Sequence, residues 1–139
     1  MRLDDICALP VANLVATNAH LHLWATNPLL PLAFQVIEAW GFSYRSCFVW
    51  TKEKLGMGNY WRVSHEYLLL GVRGSLRFAR RDKRSWQIWN RTRHSKKPPA
   101  VRCLIESVSP GPYLELFGRE EIPNSDWTVF RNQIERRLF

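Results

Sequence analysis

The sequence predicts an α/β layer fold built as a single domain over residues 1–139, and three observations carry that expectation. Strand-like and helix-like segments succeed one another along most of the chain. From Leu29 to Trp40 the apolar residues Leu29, Leu32, Ala33, Val36, Ile37 and Trp40 recur at helical spacing, with Gly41 where a carboxyl cap belongs. A short apolar run, Tyr113 to Phe117, ends abruptly in Gly118-Arg119. That run reads as a buried strand delivering a glycine turn and a cation to the carboxyl edge of a sheet, where open α/β sheets bind ligands.

The elements follow in order. Residues 3–9 predict a short helix, with Asp4 and Asp5 at its amino end and Pro10 stopping it. Ala19 to Ala25 alternates and then meets Thr26-Asn27-Pro28, a strand followed by a turn. After the helix at 29–40, Phe42 to Trp50 is rich in aromatic and β-branched residues and reads as a second strand. Lys52 to Val63 contains Gly56 and Gly58 without periodicity, so it reads as a loop. Tyr67 to Val72 is an unbroken apolar strand, the signature of burial on both faces. A basic stretch over about 76–97 interrupts the fold as an insertion, with a short strand at Trp86-Gln87-Ile88-Trp89. Pro98-Pro99 opens a helix to about Val108. A Ser109-Pro110-Gly111-Pro112 turn leads into the strand at 113–117, and Ser125 or Asp126 is placed to cap a last helix from about Thr128.

A chain of 139 residues with 46% hydrophobic residues and seven tryptophans supports one folded core rather than disorder. No apolar run approaches the roughly 18 residues that span a bilayer. The start, Met1-Arg2-Leu3-Asp4-Asp5, is acidic too early for a secretory signal. Cys7, Cys47 and Cys103 are odd in number and widely spaced, fitting neither a disulfide framework nor a zinc site. Reduced thiols in an intracellular setting are expected: cytoplasmic in a prokaryote or phage, nuclear in a eukaryote.

The net charge of +8 is concentrated in one place. Arg77, Arg80, Arg81, Lys83, Arg84, Arg91, Arg93, Lys96 and Lys97 face a single acid, Asp82, while the rest of the chain balances. A localised basic band is the footprint of a phosphate-backbone partner, although such loops also serve solubility. Aromatic residues interleave with it. Trp24 and Trp50 lie in core strands and read as packing. Trp61 sits in a glycine-containing loop beside Tyr60 and Arg62, and is the better placed to touch a base. Trp86 and Trp89 either stack on bases or anchor the band.

These pieces together resemble the MT-A70 family of S-adenosylmethionine-dependent adenine-N6 methyltransferases. The resemblance rests on Leu3-Asp4-Asp5-Ile6, Leu21-His22-Leu23-Trp24-Ala25-Thr26-Asn27, Trp40-Gly41-Phe42 and Val49-Trp50-Thr51-Lys52. It continues through His65-Glu66-Tyr67-Leu68-Leu69-Leu70-Gly71-Val72-Arg73-Gly74 and Ser95-Lys96-Lys97-Pro98. It closes on Leu114-Glu115-Leu116-Phe117-Gly118-Arg119, Trp127-Thr128 and Asn132-Gln133. It implies a Rossmann-like methyltransferase sheet with helices on both faces, incomplete at its N-terminal strand. The family's catalytic Asp-Pro-Pro-Trp tetrapeptide belongs upstream of Leu3 and does not occur in this sequence. The chain is therefore expected to be either a carboxyl-terminal piece of a longer enzyme or a natural short relative. Arg131 stands where the family usually has glycine.

The resemblance assigns S-adenosylmethionine to Lys97, Arg119, Asn132 and Gln133. A cation suits the donor's carboxylate, and amide and guanidinium groups suit its ribose and adenine. Nucleic acid, DNA or RNA, is assigned to Trp61, Arg62, Arg80, Arg81, Lys83, Arg84, Arg91 and Arg93. No catalytic residue is assigned within the chain. Glu120 and Glu121 are weaker candidates for the ribose. The alternative is a catalytically silent subunit or nucleic-acid-binding adaptor, as homodimer or as heterodimer with an MT-A70-like partner. His20 and His22, two apart on a strand with no carboxylate or cysteine joining them, read as structural. Glu66 reads as an ion-pair partner for a nearby arginine.

Overall fold

The computed structural model describes residues 2–90, 97–118, 122–123 and 125–131. A short helix α1 (Leu3–Cys7) and a 3-10 turn (Val11–Asn13) lead into strand β1 (Ala19–Ala25). Helix α2 (Leu30–Ala39) then returns the chain to β2 (Ser43–Thr51), and β3 (His65–Arg73) follows a long loop. Beyond these come β4 (Trp86–Ile88), α3 (Ala100–Val108), β5 (Tyr113–Gly118) and β6 (Trp127–Arg131). The fold is mixed α/β, with a four-stranded sheet in the order β1-β3-β2-β4 and a two-stranded sheet β5-β6.

β3 is central, as its unbroken apolar character predicts, but it runs antiparallel to both neighbours. β1 and β2 are consequently parallel to each other, joined by the α2 crossover, with β3 between them. β3 is nevertheless buried on both faces, because helices cover both. Alternation sorts the residues. Leu21, Leu23, Cys47, Leu69 and Gly71 share the face under α2, where Ala33, Val36, Ile37, Trp40 and Phe42 complete the core. Ile37 and Leu69 are each only 1% exposed, and burying each contributes about 1.5–3 kcal/mol. Gly71 is what lets α2 come close, since a Cβ there would meet Phe42 Cβ at 3.0 Å and Ile37 Cγ2 at 3.2 Å.

The other face carries His20, His22, Trp24, Ser46, Phe48, Trp50, Glu66, Leu68 and Leu70. α3 lies across it, with Leu104, Ile105 and Val108 lining a cavity of about 110 Å³ together with Leu68 and Leu70. The helix runs opposite to β1. Lys97, on the segment leading into the helix, lies at the carboxyl ends of β1 and β2, and Ser109, which follows the helix, at the amino end of β1.

Gly41 caps α2 as its position predicts. Its φ is 84°, its N–H donates to Glu38 O, and the Phe42 N–H donates to Ile37 O, both at 3.0 Å. That pair is the Schellman arrangement. The expected last helix from Thr128 is corrected: Trp127–Arg131 is a strand paired parallel with β5. Ser125, read as a helix cap, instead takes the Trp127 N–H at 3.3 Å in a turn. The Asp126 carbonyl accepts the Tyr113 N–H at 2.9 Å and so opens the ladder. Trp127-Thr128-Val129-Phe130 is aromatic and β-branched, and such residues fit a pleated surface better than a helix. Trp127 stacks on Tyr113 with centroids 4.7 Å apart.

Candidate functional site

The carboxyl ends of β1 and β2 hold a charged cluster over two indoles. Glu66 is 6% exposed and lies between two ammonium groups. Lys52 Nζ is 2.6 Å from Oε2, and Lys97 Nζ donates to Oε1 at 2.5 Å. Burial alone would raise the Glu66 carboxyl, but the hydrogen bonds from Lys52 and Lys97 outweigh it and hold the group below the usual carboxylate range. Lys52 sits 4.7 Å from the centre of the Trp50 ring, and Lys97 sits 5.2 Å from that of Trp24. Trp24 and Trp50 meet edge to face at 5.9 Å. Two cations on one carboxylate leave one net positive charge above an aromatic floor, an arrangement suited to a small anion.

Of the residues assigned to the methyl donor, Lys97 is in this cluster. Arg119, Asn132 and Gln133 lie outside the described residues, as do Glu120 and Glu121. β5 nevertheless ends at Gly118, with Phe117 at a φ of 61°. Glu66 forms ion pairs as expected, but with Lys52 and Lys97 rather than an arginine. The register explains the difference. Trp50 pairs with Glu66, and the Lys52 N–H donates to Ser64 O at 2.7 Å, closing the loop so that Lys52 faces Glu66. Lys52 belongs to the Val49-Trp50-Thr51-Lys52 segment of the resemblance, but the sequence assigns it no site role, because only the pairing of β2 with β3 brings it to Glu66.

The residues assigned to nucleic acid fall in two places. Trp61, 89% exposed, and Arg62, whose Nε donates to Gly56 O at 3.3 Å, lie on the 52–64 loop. That loop leaves from and returns to the end of the sheet that holds the Glu66 cluster. Arg80, Arg81, Lys83 and Arg84 are exposed on the segment before β4. Arg80 forms a two-pronged bond to Asp82 at 3.1 and 2.6 Å, and Arg84 lies 4.5 Å over the Trp86 ring. Arg91 and Arg93 lie outside the described residues.

At the opposite end of the same face, His20 and His22 are structural as expected, held by a residue that sequence reasoning missed. The buried Ser109 hydroxyl lies 2.7 Å from His20 Nδ1 and 2.9 Å from His22 Nε2. His20 Nε2 is 2.9 Å from the Leu76 carbonyl, which only accepts, so Nε2 carries a proton. The one hydroxyl, with a proton to donate and two lone pairs to accept, serves both imidazoles. Burial, and secondarily the neighbouring His20, lower His22 from 6.5 to about 4.

Comparison with known proteins bears on the whole chain. The MT-A70 family profile matches residues 1–133. The chain belongs to the MT-A70 family. Among its relatives, the type II methyltransferase M.MunI of a Mycoplasma species is 31% identical over 131 residues, covering 91% of this chain and 56% of that protein. A Medicago truncatula protein described as a putative N(6)-adenosine-methyltransferase MT-A70-like is 26% identical, covering 94% of the chain and 23% of that protein. The human N(6)-adenosine-methyltransferase catalytic subunit METTL3 is 28% identical over 129 residues, covering 85% of the chain and 22% of that protein. This MT-A70 chain thus spans about half the length of M.MunI and under a quarter of the other two. No helix among its described residues is long and apolar enough to cross a membrane.

Proposed function

We propose that these residues form the donor-binding and nucleic-acid-positioning part of an S-adenosylmethionine-dependent adenine-N6 methyltransferase acting on DNA or RNA inside the cell. The observation that carries the reading is the Lys52–Glu66–Lys97 cluster over Trp24 and Trp50 at the carboxyl ends of β1 and β2, in a chain of the MT-A70 family. Relatives named for methylation of adenosine support the substrate class.

The charge of the cluster fits the donor. Its one net positive charge suits the donor's carboxylate, and Lys97 can turn toward it while Lys52 keeps Glu66 neutralised. Arg119, Asn132 and Gln133 are assigned to the ribose and adenine. S-adenosylmethionine, when bound, supplies a methyl group on a sulfonium. The chain's own task is orientation, since methyl transfer to an exocyclic amine depends on in-line positioning. The exposed cations Arg80, Arg81, Lys83 and Arg84, with Arg91 and Arg93, are assigned to phosphates, and Trp61 with Arg62 to the nucleotide near the loop. The alternative reading is an adaptor that pairs with an active MT-A70-like subunit or with a second copy.

Calorimetric titration of S-adenosylmethionine into the folded chain separates the two. Saturable binding that weakens about tenfold in Lys97→Ala is the expected result, matching loss of one charge-assisted bond. A chain shown folded by circular dichroism that takes up no donor at millimolar concentration would favour the adaptor.

A further inference from the structure

Beside the Glu66 cluster, a second cleft of about 330 Å³ opens between β4 and α3. Its volume is at the lower end of the roughly 300–1,000 Å³ typical of small-ligand sites. Phe48, Leu104 and Trp89 form its wall, and Lys83, Arg84 and Trp86 stand around it. The wall is fixed in advance. The Trp89 N–H donates to Thr51 O at 3.3 Å, its carbonyl accepts from Trp50 Nε1 at 2.9 Å, and its ring leans on Phe48 at 5.6 Å. A preformed aromatic wall binds a flat ligand without first having to be ordered.

The charge around the wall is positive. Asp82, the acid lining the cleft, is occupied by the Arg80 guanidinium, which leaves Lys83 and Arg84. Trp86 is 43% exposed, and Arg84 covers its ring. An occupant must therefore offer a flat apolar face and a negative charge together. A free phosphate would leave the wall unused, and an apolar peptide would leave the cations unused.

The location narrows this further. β4 pairs with β2 in the register Trp50↔Gln87, one strand spacing of about 4.8 Å. Trp50 bonds to Trp89 on one side and lies beneath Lys52 on the other. We propose that this cleft holds one unpaired nucleotide adjoining the target adenine, its base against Phe48 and Trp89 and its phosphate at Lys83 and Arg84. It is then a determinant of sequence context. The proposal rests on the nucleic-acid reading above.

The test measures anisotropy of a labelled single-stranded, adenine-containing oligonucleotide with the full chain. A second oligonucleotide carries abasic residues on both sides of the central adenine. The expected result is about tenfold weaker binding of the abasic oligonucleotide, the loss of one stacked base. That penalty disappears in Trp89→Ala, whose backbone anchors to Thr51 and Trp50 remain, returns in Trp89→Phe, and disappears again in Leu104→Trp, which fills the cleft without removing a surface contact. Equal, salt-dependent binding of both oligonucleotides by the unmodified chain would overturn the cleft and leave the nucleic-acid reading standing. Binding of neither would overturn both.

Discussion

At the carboxyl end of α3 the buried Ser109 hydroxyl stands within hydrogen-bond distance of both His20 and His22, and burial there lowers His22. His22 is neutral when folded down to about pH 4, whereas an unfolded chain binds a proton there below about 6.5. The contribution is complete above pH 6.5 and is lost as the pH falls toward 4, because the unfolded state then gains the proton that the folded state refuses. The slope is about 1.4 kcal/mol per pH unit. Glu66, held below its usual 4.5, adds a loss of the same sign that sets in as the pH approaches 4.5 and continues below it, so His22 dominates the upper part of the window. Urea unfolding across that range should show stability declining, with a flatter profile in His22→Gln, which keeps an amide donor for Ser109. An unchanged slope in that variant would show that other groups titrate there.

The pairing of α2 with β3 depends on the absence of a side chain at Gly71. Its would-be Cβ meets Phe42 and Ile37 at 3.0 and 3.2 Å, inside a core with little room to give. Gly71→Val should destabilise the fold by about 1–3 kcal/mol through overpacking, measured as a lower urea midpoint with an unchanged m-value. Much at this scale was legible in the sequence. Period and cap located α2 because both are local, and Tyr67 to Val72 declared itself central by composition. The β6 segment was misread for an equally local reason: Ser125 and Asp126 have the chemistry of a helix cap and of a turn alike. Only pairing with Tyr113 decides between them. The Glu66 cluster was not legible, since Lys97 lies 31 residues away and Lys52 reaches it only through the register of β2 on β3. Ser109 is 89 residues from His20, in what the sequence shows as a proline-rich turn.

Across the whole molecule the electrostatics are lopsided, with net charge +8 and the exposed cations Arg80, Arg81, Lys83 and Arg84 on one segment. Binding of single-stranded nucleic acid should weaken with salt, and the slope of log K against log salt should fall by about 0.7 for each phosphate left without its cations. The Lys83→Ala/Arg84→Ala double variant, which strips both cations from the one phosphate assigned to them, should therefore flatten that slope by about 0.7, read by anisotropy at several salt concentrations. An unaltered slope would assign these cations to solubility. The placement of β3 between β1 and β2 has a further consequence, for the order in which the chain acquires its shape. β1 and β2 are joined in the sheet only through β3, and β4 also lies later in the chain, so the β1–α2–β2 unit has no strand to pair with while residues 65–73 are still being synthesised. The sheet therefore gains both of its long ladders together, when residues 65–73 emerge and β3 joins β1 to β2, and β4 adds to the free side of β2 afterwards.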